Sequence, residues 1–231
     1  MRNWYIISFL ILGGIPSLAQ SSPDDATSKK IISKIELFGT LSWMYPKTYF
    51  EPSVSEREFK LGRSIGVSLT HSFTSRFELQ GSIGVTEKRY VNTEINPQNR
   101  ANRITGDQKN DYISVSVIPK FLFGNRNLFN VGLGSYVSFL QNSQRKLTYY
   151  DPNNPNVLTG TIDSKDLYKN YDAGLTIRFG VEIPIKKKYA INLQIVSNNG
   201  LANVNENTIP SVISIEKYNT IEFLAGMILI K

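Results

Sequence analysis

DYISVSVIPKFLFGNRNLFNVGLGSYVSFLQ, residues Asp111 to Gln141, separates into two chemistries when taken two residues at a time. Ile113, Val115, Val117, Phe121 and Phe123 fall on one face, and Tyr112, Ser114, Ser116 and Lys120 on the other. After Gly124-Asn125-Arg126-Asn127 the pattern resumes, with Phe129, Val131, Leu133, Val137 and Phe139 set against Asn130, Gly132, Gly134, Tyr136 and Ser138. A period of two is the signature of a strand, and a tight Gly/Asn turn between two such runs predicts a hairpin. Each arm is long enough for a tilted strand to cross a bilayer, which takes about ten residues.

Outward from this hairpin, eight alternating segments are expected, the first of them at Ile35–Tyr45. Lys60–Phe73 and Phe77–Val91 precede the hairpin, and Asn170–Ile185, Tyr189–Ser197 and Tyr218–Ile230 follow it. The connections between them run long, short, long, short, long, short, long. Stretches 46–59, 93–110, 142–169 and 198–217 are polar and read as loops, the third with a DPNNPN turn at Asp151–Asn156 and room for a small hairpin extension. An even number of strands with loops sorted by length is the pattern of outer-membrane barrels, whose short turns face the periplasm and whose long loops face outward. The expected fold is therefore all-β: a closed, eight-stranded, antiparallel, up-and-down transmembrane barrel over residues 35–231.

The N-terminus agrees with export. Arg2, the apolar run Trp4 to Ile15 and Ser17-Leu18-Ala19 before Gln20 compose a cleavable signal peptide over residues 1–20. Residues 21–34 read as a flexible lead-in. No later stretch approaches the roughly 18 continuous apolar residues of a membrane helix. Mean hydropathy is only −0.21, but alternating barrel strands give a weak hydropathy signal. The exported chain has no cysteine and so folds without disulfides. Its net charge is +7, yet the basic residues form no long run. Outer-membrane lipid is the expected partner, nucleic acid is not, and a monomer is expected.

On this register one face carries Glu36, Glu78, Lys120, Asp172, Arg178, Glu182 and Glu222, interspersed with glycines and serines. The other face is nearly free of charge at mid-strand. Eight strands leave an interior just wide enough for side chains to fill, so the seven ionisable residues are expected inside as a packed ionic plug of paired charges. A soluble lipocalin-like ligand binder would reverse the faces and leave a large apolar patch in water. Two aromatic girdles are expected at the membrane surfaces. Phe73, Phe77, Phe121, Phe123, Phe129 and Tyr189 lie at the short-turn ends, and Trp43, Tyr45, Tyr90, Tyr112, Phe139, Tyr171 and Tyr218 near the long loops.

Nothing in the spacing points to catalysis. His71 is the one histidine, and with no cysteine a transition-metal site lacks ligands. No serine and acid are spaced around His71 for a hydrolytic triad. No catalytic, cofactor or metal residue is assigned.

Ile118-Pro119-Lys120, the phenylalanine-rich strand end and Val131-Gly132-Leu133-Gly134 together resemble the small "porin family" outer-membrane barrel domain, in its PorT-like group. Gly180-Val181-Glu182-Ile183-Pro184, Asn199-Gly200-Leu201-Ala202-Asn203 and Ala225-Gly226-Met227 extend the resemblance over nearly all of the mature chain. It implies an OmpA/OmpX-like barrel without common catalytic residues. One departure is the C-terminal Lys231, where many such barrels end in an aromatic. The expected role lies in the outer loops, as surface interaction or envelope integrity. A part in a secretion apparatus and a narrow channel are the alternatives.

Overall fold

The computed structural model describes residues 33–49, 55–95, 103–124, 127–151, 154–205 and 215–230. The expected signal peptide and nearly all of the lead-in lie outside them. Ten strands are formed: β1 (Ser33–Tyr49), β2 (Ser55–Phe59), β3 (Leu61–Ser72), β4 (Phe77–Ile95), β5 (Arg103–Phe123), β6 (Leu128–Asp151), β7 (Asn154–Asp163), β8 (Tyr171–Lys186), β9 (Tyr189–Gly200) and β10 (Ile215–Ile230).

Eight of them close into a cylinder. The order β4-β3-β1-β10-β9-β8-β6-β5 returns to β4 through the β4–β5 ladder, and every pairing is antiparallel. Closure leaves no unpaired edge for another chain to extend, and a membrane demands it because lipid offers no hydrogen bonds to a free backbone. The two remaining strands are accessories: β2 continues the line of β3 along the outer part of β4, and β7 folds back on the outer part of β6.

The alternation sorts as the solvent requires. Leu37, Ile65, Ile83, Val117, Leu133, Phe179, Leu193 and Met227 are exposed around the wall. Glu36, Gln80, Lys120, Asn130, Thr176 and Asn192 are buried inside it. A protein in water does the opposite. In lipid the outward apolar side chains meet hydrocarbon, and the polar ones find partners only in the lumen.

The strands are longer than the sequence pattern predicts. Stretch 93–110, expected as a loop, is largely strand: β4 runs to Ile95 and β5 starts at Arg103. Stretch 142–169 carries the end of β6 and all of β7, with Asp151 paired to Asn154 within the DPNNPN stretch. β1 likewise enters stretch 46–59, and β9 and β10 enter stretch 198–217. At 21 residues, β5 reaches about 70 Å at 3.3–3.4 Å per residue, roughly twice what a bilayer needs. The projecting parts are polar on their outward face, so alternation there has no apolar phase to reveal it. A β-bulge adds to the concealment. Tyr112 pairs with Leu140 but Asp111 with Asn142, leaving Gln141 as the extra residue. Inward parity on β6 passes there from Tyr136, Ser138 and Leu140 to Ser143.

Candidate functional site

The lumen has four levels. At the short-turn end, Lys34 Nζ lies 2.7 Å from both Glu78 and Glu182, and Lys120 Nζ lies 3.2 Å from the same two carboxylates. Four strands, β1, β4, β5 and β8, thus place two cations and two anions in one neutral quartet, each member nearly sealed from solvent. Glu78 also accepts a hydrogen bond from the Ser72 hydroxyl at 2.8 Å.

Mid-barrel charges are held mainly by neutral groups. The Glu36 carboxylate accepts from Ser68 Oγ (2.9 Å), Gln80 Nε2 (2.9 Å) and Asn192 Nδ2 (2.6 Å). Glu222 accepts from Asn198 Nδ2 at 2.7 Å and Thr220 Oγ1 at 3.2 Å. Arg178 donates to Gln80 Oε1 and Ser116 Oγ, each at 3.3 Å. Among the described residues it makes no ion pair, so the expectation of paired charges is corrected at this position. The reason is reach: the acids that act on it, Glu222 and Glu36, are already tied to amides and hydroxyls of their own. Glycines make the room. A Cβ on Gly226 would collide with the Glu36 carboxylate, and one on Gly174 would lie 2.8 Å from Tyr136 Cε1. Beside Arg178, Lys88 and Glu222 a cavity of about 60 Å³ remains, space for a few waters at most.

Above this level lies the Lys88–Asp172 pair, at 2.5 Å. Lys88 Nζ stands 5.0 to 5.5 Å from the ring centres of Tyr112, Tyr136 and Tyr218, close enough for cation–π attraction to all three. The Tyr136 hydroxyl donates to Asp172 at 3.2 Å.

The outer mouth is filled mainly by aromatic, amide and hydroxyl groups, with Glu216 buried beside them and Arg145 bonded to Gln108 and Tyr168. Met44, Tyr90, Tyr112, Leu140, Tyr168, Val204 and Tyr218 pack as one cluster. Around it Gln108 Nε2 donates to Asn110 Oδ1, Ser143 Oγ and Ser164 Oγ at 2.7 to 2.9 Å. Two connections close over the top. The segment after β7, with its single 3-10 turn at Lys165–Leu167, meets the segment after β9 through the Tyr168–Asn205 bridge and Lys169 N–H to Val204 C=O at 2.8 Å. The Tyr90 and Tyr168 hydroxyls bond at 2.7 Å. Burial, with Glu216 nearby, holds the Tyr90 phenol well above its ordinary pKa and raises that of Tyr168.

All seven ionisable residues expected inside, Glu36, Glu78, Lys120, Asp172, Arg178, Glu182 and Glu222, point inward and are buried. Two further cations escaped the sequence reading. Lys34 fell in the expected lead-in, yet β1 begins at Ser33. Lys88 shares the parity of Glu78 and Thr86, which was the available signal. Of the expected girdle residues, Phe73, Phe121, Phe123, Phe129 and Tyr189 are exposed at the short-turn end, and Tyr45, Phe139 and Tyr171 at the other. Phe77 and Trp43 share the outward parity and are partly covered by aromatic neighbours. Tyr90, Tyr112 and Tyr218 are corrections: their exposures of 3%, 0% and 0% put them inside. Tyr112 has the inward parity of Ser114 and Ser116, and the mouth uses these rings as wide fillers, with the Tyr90 and Tyr218 hydroxyls bonded to Tyr168 and Asn110. His71 lies on the outward parity at the short-turn rim, edge-on to Phe73 with ring centres 4.8 Å apart.

The family described as outer membrane protein beta-barrel domain matches residues 18–206, which take in the first nine strands. The chain belongs to that family. As an outer-membrane β-barrel domain it resides in the bacterial outer membrane. Among solved structures it is similar to Ail, the attachment invasion locus protein of Yersinia pestis, at 13% identity and a TM-score of 0.45, over 87% of this chain and 99% of that one. It is similar to OprG from Pseudomonas aeruginosa at 9% identity and 0.45, over 86% and 95%. The outer membrane protease OmpT from Escherichia coli also matches, at 10% and 0.40, over 88% and 98%. No curated protein matches the barrel domain in sequence.

Proposed function

We propose that this barrel domain is a non-catalytic anchor that carries an outer extension, and that the extension acts in surface interaction or envelope integrity. The observation behind the reading is the projecting half of the β4–β7 wall. It is built as ordered, hydrogen-bonded strand, with charged residues on its outside and a sealed interior. Ordered strand far beyond the bilayer adds nothing to anchoring, and it presents side chains in fixed geometry. The filled lumen supports this reading over a narrow channel.

The test is to shorten the β6–β7 hairpin, replacing residues 146–161 with a two-residue turn. Folding is followed by the shift of the unboiled band on a gel. The expected result is a folded barrel whose cells lose surface attachment or gain detergent sensitivity to the same degree as a deletion strain. A shortened barrel that restores the deletion strain in full overturns the reading. Stepwise conductance in a planar bilayer turns it toward a channel. A deletion strain that retains exported proteins inside the cell turns it toward a secretion apparatus.

A further inference from the structure

The cations that adjoin the apolar band differ between its two ends. Just beyond its outer edge, four cations on or beside β3–β5 have an acid next to them, while Arg103 stands exposed farther out without one among the described residues. Lys60 and Arg89 reach Asp107 at 2.5 and 3.1 Å, Lys109 reaches Glu87 at 3.1 Å, and Arg63 lies 3.9 Å from Glu87. At the short-turn end the exposed cations are Arg76, between β3 and β4, and Lys186, Lys187 and Lys188, between β8 and β9. None of these four has an acidic partner among the described residues. Among the described residues the acids near that rim, Glu78 and Glu182, are turned inward and paired with Lys34 and Lys120.

We infer that the short-turn rim is a binding surface for the anionic headgroups of the inner-leaflet phospholipids. Three observations select this occupant. First, the cations adjoin the apolar band: Ile185 and Tyr189 flank the lysine run and are 54% and 44% exposed, while Phe73 stands beside the Arg76 turn at 52%. Side chains so placed keep their stems in the hydrocarbon boundary and their charges among headgroups. Second, the two turns lie on opposite sides of the cylinder, separated by β1 and β10 one way round and by β5 and β6 the other. Charges that diverge suit a continuous anionic layer around the barrel, whereas one compact anion needs charges that converge. Third, the Arg76 turn is held in shape: the Thr74 hydroxyl accepts from Arg76 N–H at 3.1 Å and Phe77 N–H at 2.9 Å. A fixed turn keeps the cation at the level of the membrane surface.

The experiment refolds the chain into phosphatidylcholine vesicles containing spin-labelled phosphatidylglycerol or spin-labelled phosphatidylcholine, and measures the motionally restricted fraction of each. At low salt the phosphatidylglycerol probe is expected to be favoured, by about fivefold for a lipid touching one of these cations. The preference should fall toward unity near 1 M salt, where the screening length is about 3 Å. R76S/K186S/K187S/K188S should abolish it, K186R/K187R/K188R should keep it, and R63S/K109S at the outer end should leave it unchanged. Retained heat-modifiability shows that each variant is folded. If the quadruple variant does not fold, K187S/K188S in the turn itself replaces it and should reduce the preference. No preference in the native chain overturns the inference, as does one that survives the serine variants. Capture of isolated peptidoglycan without lipid preference overturns it in favour of a cell-wall partner.

Discussion

The same strands obey opposite rules in their two halves. Along β5, from the short-turn end, Phe121, Val117, Val115 and Ile113 face out while Lys120 and Ser116 face in. Past Tyr112 the outward residues become Asp111, Lys109 and Asp107, and the inward ones Asn110 and Gln108. Within the bilayer, charge is inside and grease outside; in the projecting half, most charge is outside and the inside is largely tyrosine, amide and hydroxyl, with Glu216 and Arg145 as its charged members. The difference teaches that the strand does not change, only its solvent. Lipid excludes charge from the outer face and leaves the lumen as the one place for it. Above the lipid, water accepts charge on the outer face, and the mouth can be filled largely with neutral groups that need no ion partner.

The inversion can be broken most severely at the quartet. Lys120→Met leaves Glu78 and Glu182 with Lys34 alone and should cost about 3–5 kcal/mol, read as urea-induced unfolding in lipid. Arg178→Met should cost less, about 1–3 kcal/mol, since it strands only neutral partners. Equal losses for the two would contradict the distinction between ion-paired and amide-held charges.

A substitution on the outward face sharpens the comparison directly. Leu133→Arg places a cation in the wall, where Leu133 faces outward opposite Ile177, and should cost about 2–4 kcal/mol near the midplane. Leu158→Arg, at an equally exposed position of β7 in the projecting half, should change stability by less than about 0.5 kcal/mol. Similar penalties at both sites would remove the boundary drawn here between lipid and water.

The mouth should respond more gently. Tyr168→Phe removes the hydroxyl pair with Tyr90 and should cost about 1 kcal/mol, visible as faster amide exchange around Val204. Folding raises the pKa of both phenols, so the folded state holds their protons more tightly. Their contribution is complete below about pH 10, the ordinary tyrosine value, and is lost as pH rises through the folded values. In an alkaline titration followed by tyrosinate absorbance, Tyr90 and Tyr168 should ionise only above that ordinary value. Their ionisation near pH 10 in the folded protein would contradict the sealed mouth.

The sequence by itself determined the wall. A period of two over Ile113–Phe139, an even strand number and connections sorted by length follow from backbone geometry and the hydrocarbon solvent, and these act on residues close in the chain. It also determined which residues line the lumen, because parity is local: Glu36, Glu78 and Asp172 are inward by counting. Parity could not say who meets whom. Lys34 joins Glu182 across 148 positions, a contact that exists only when the cylinder closes, and Arg178 was assigned an acid that closure gave to amides instead. The projecting half was illegible for another reason. Water on the outside lets both faces be polar, so Lys109 and Gln108 carry no contrast, and the Gln141 bulge shifts the count. Tyr90, Tyr112 and Tyr218 look like interfacial aromatics at any strand end; only the depth at which the barrel places them, inside a mouth that must be filled, decided that they face inward.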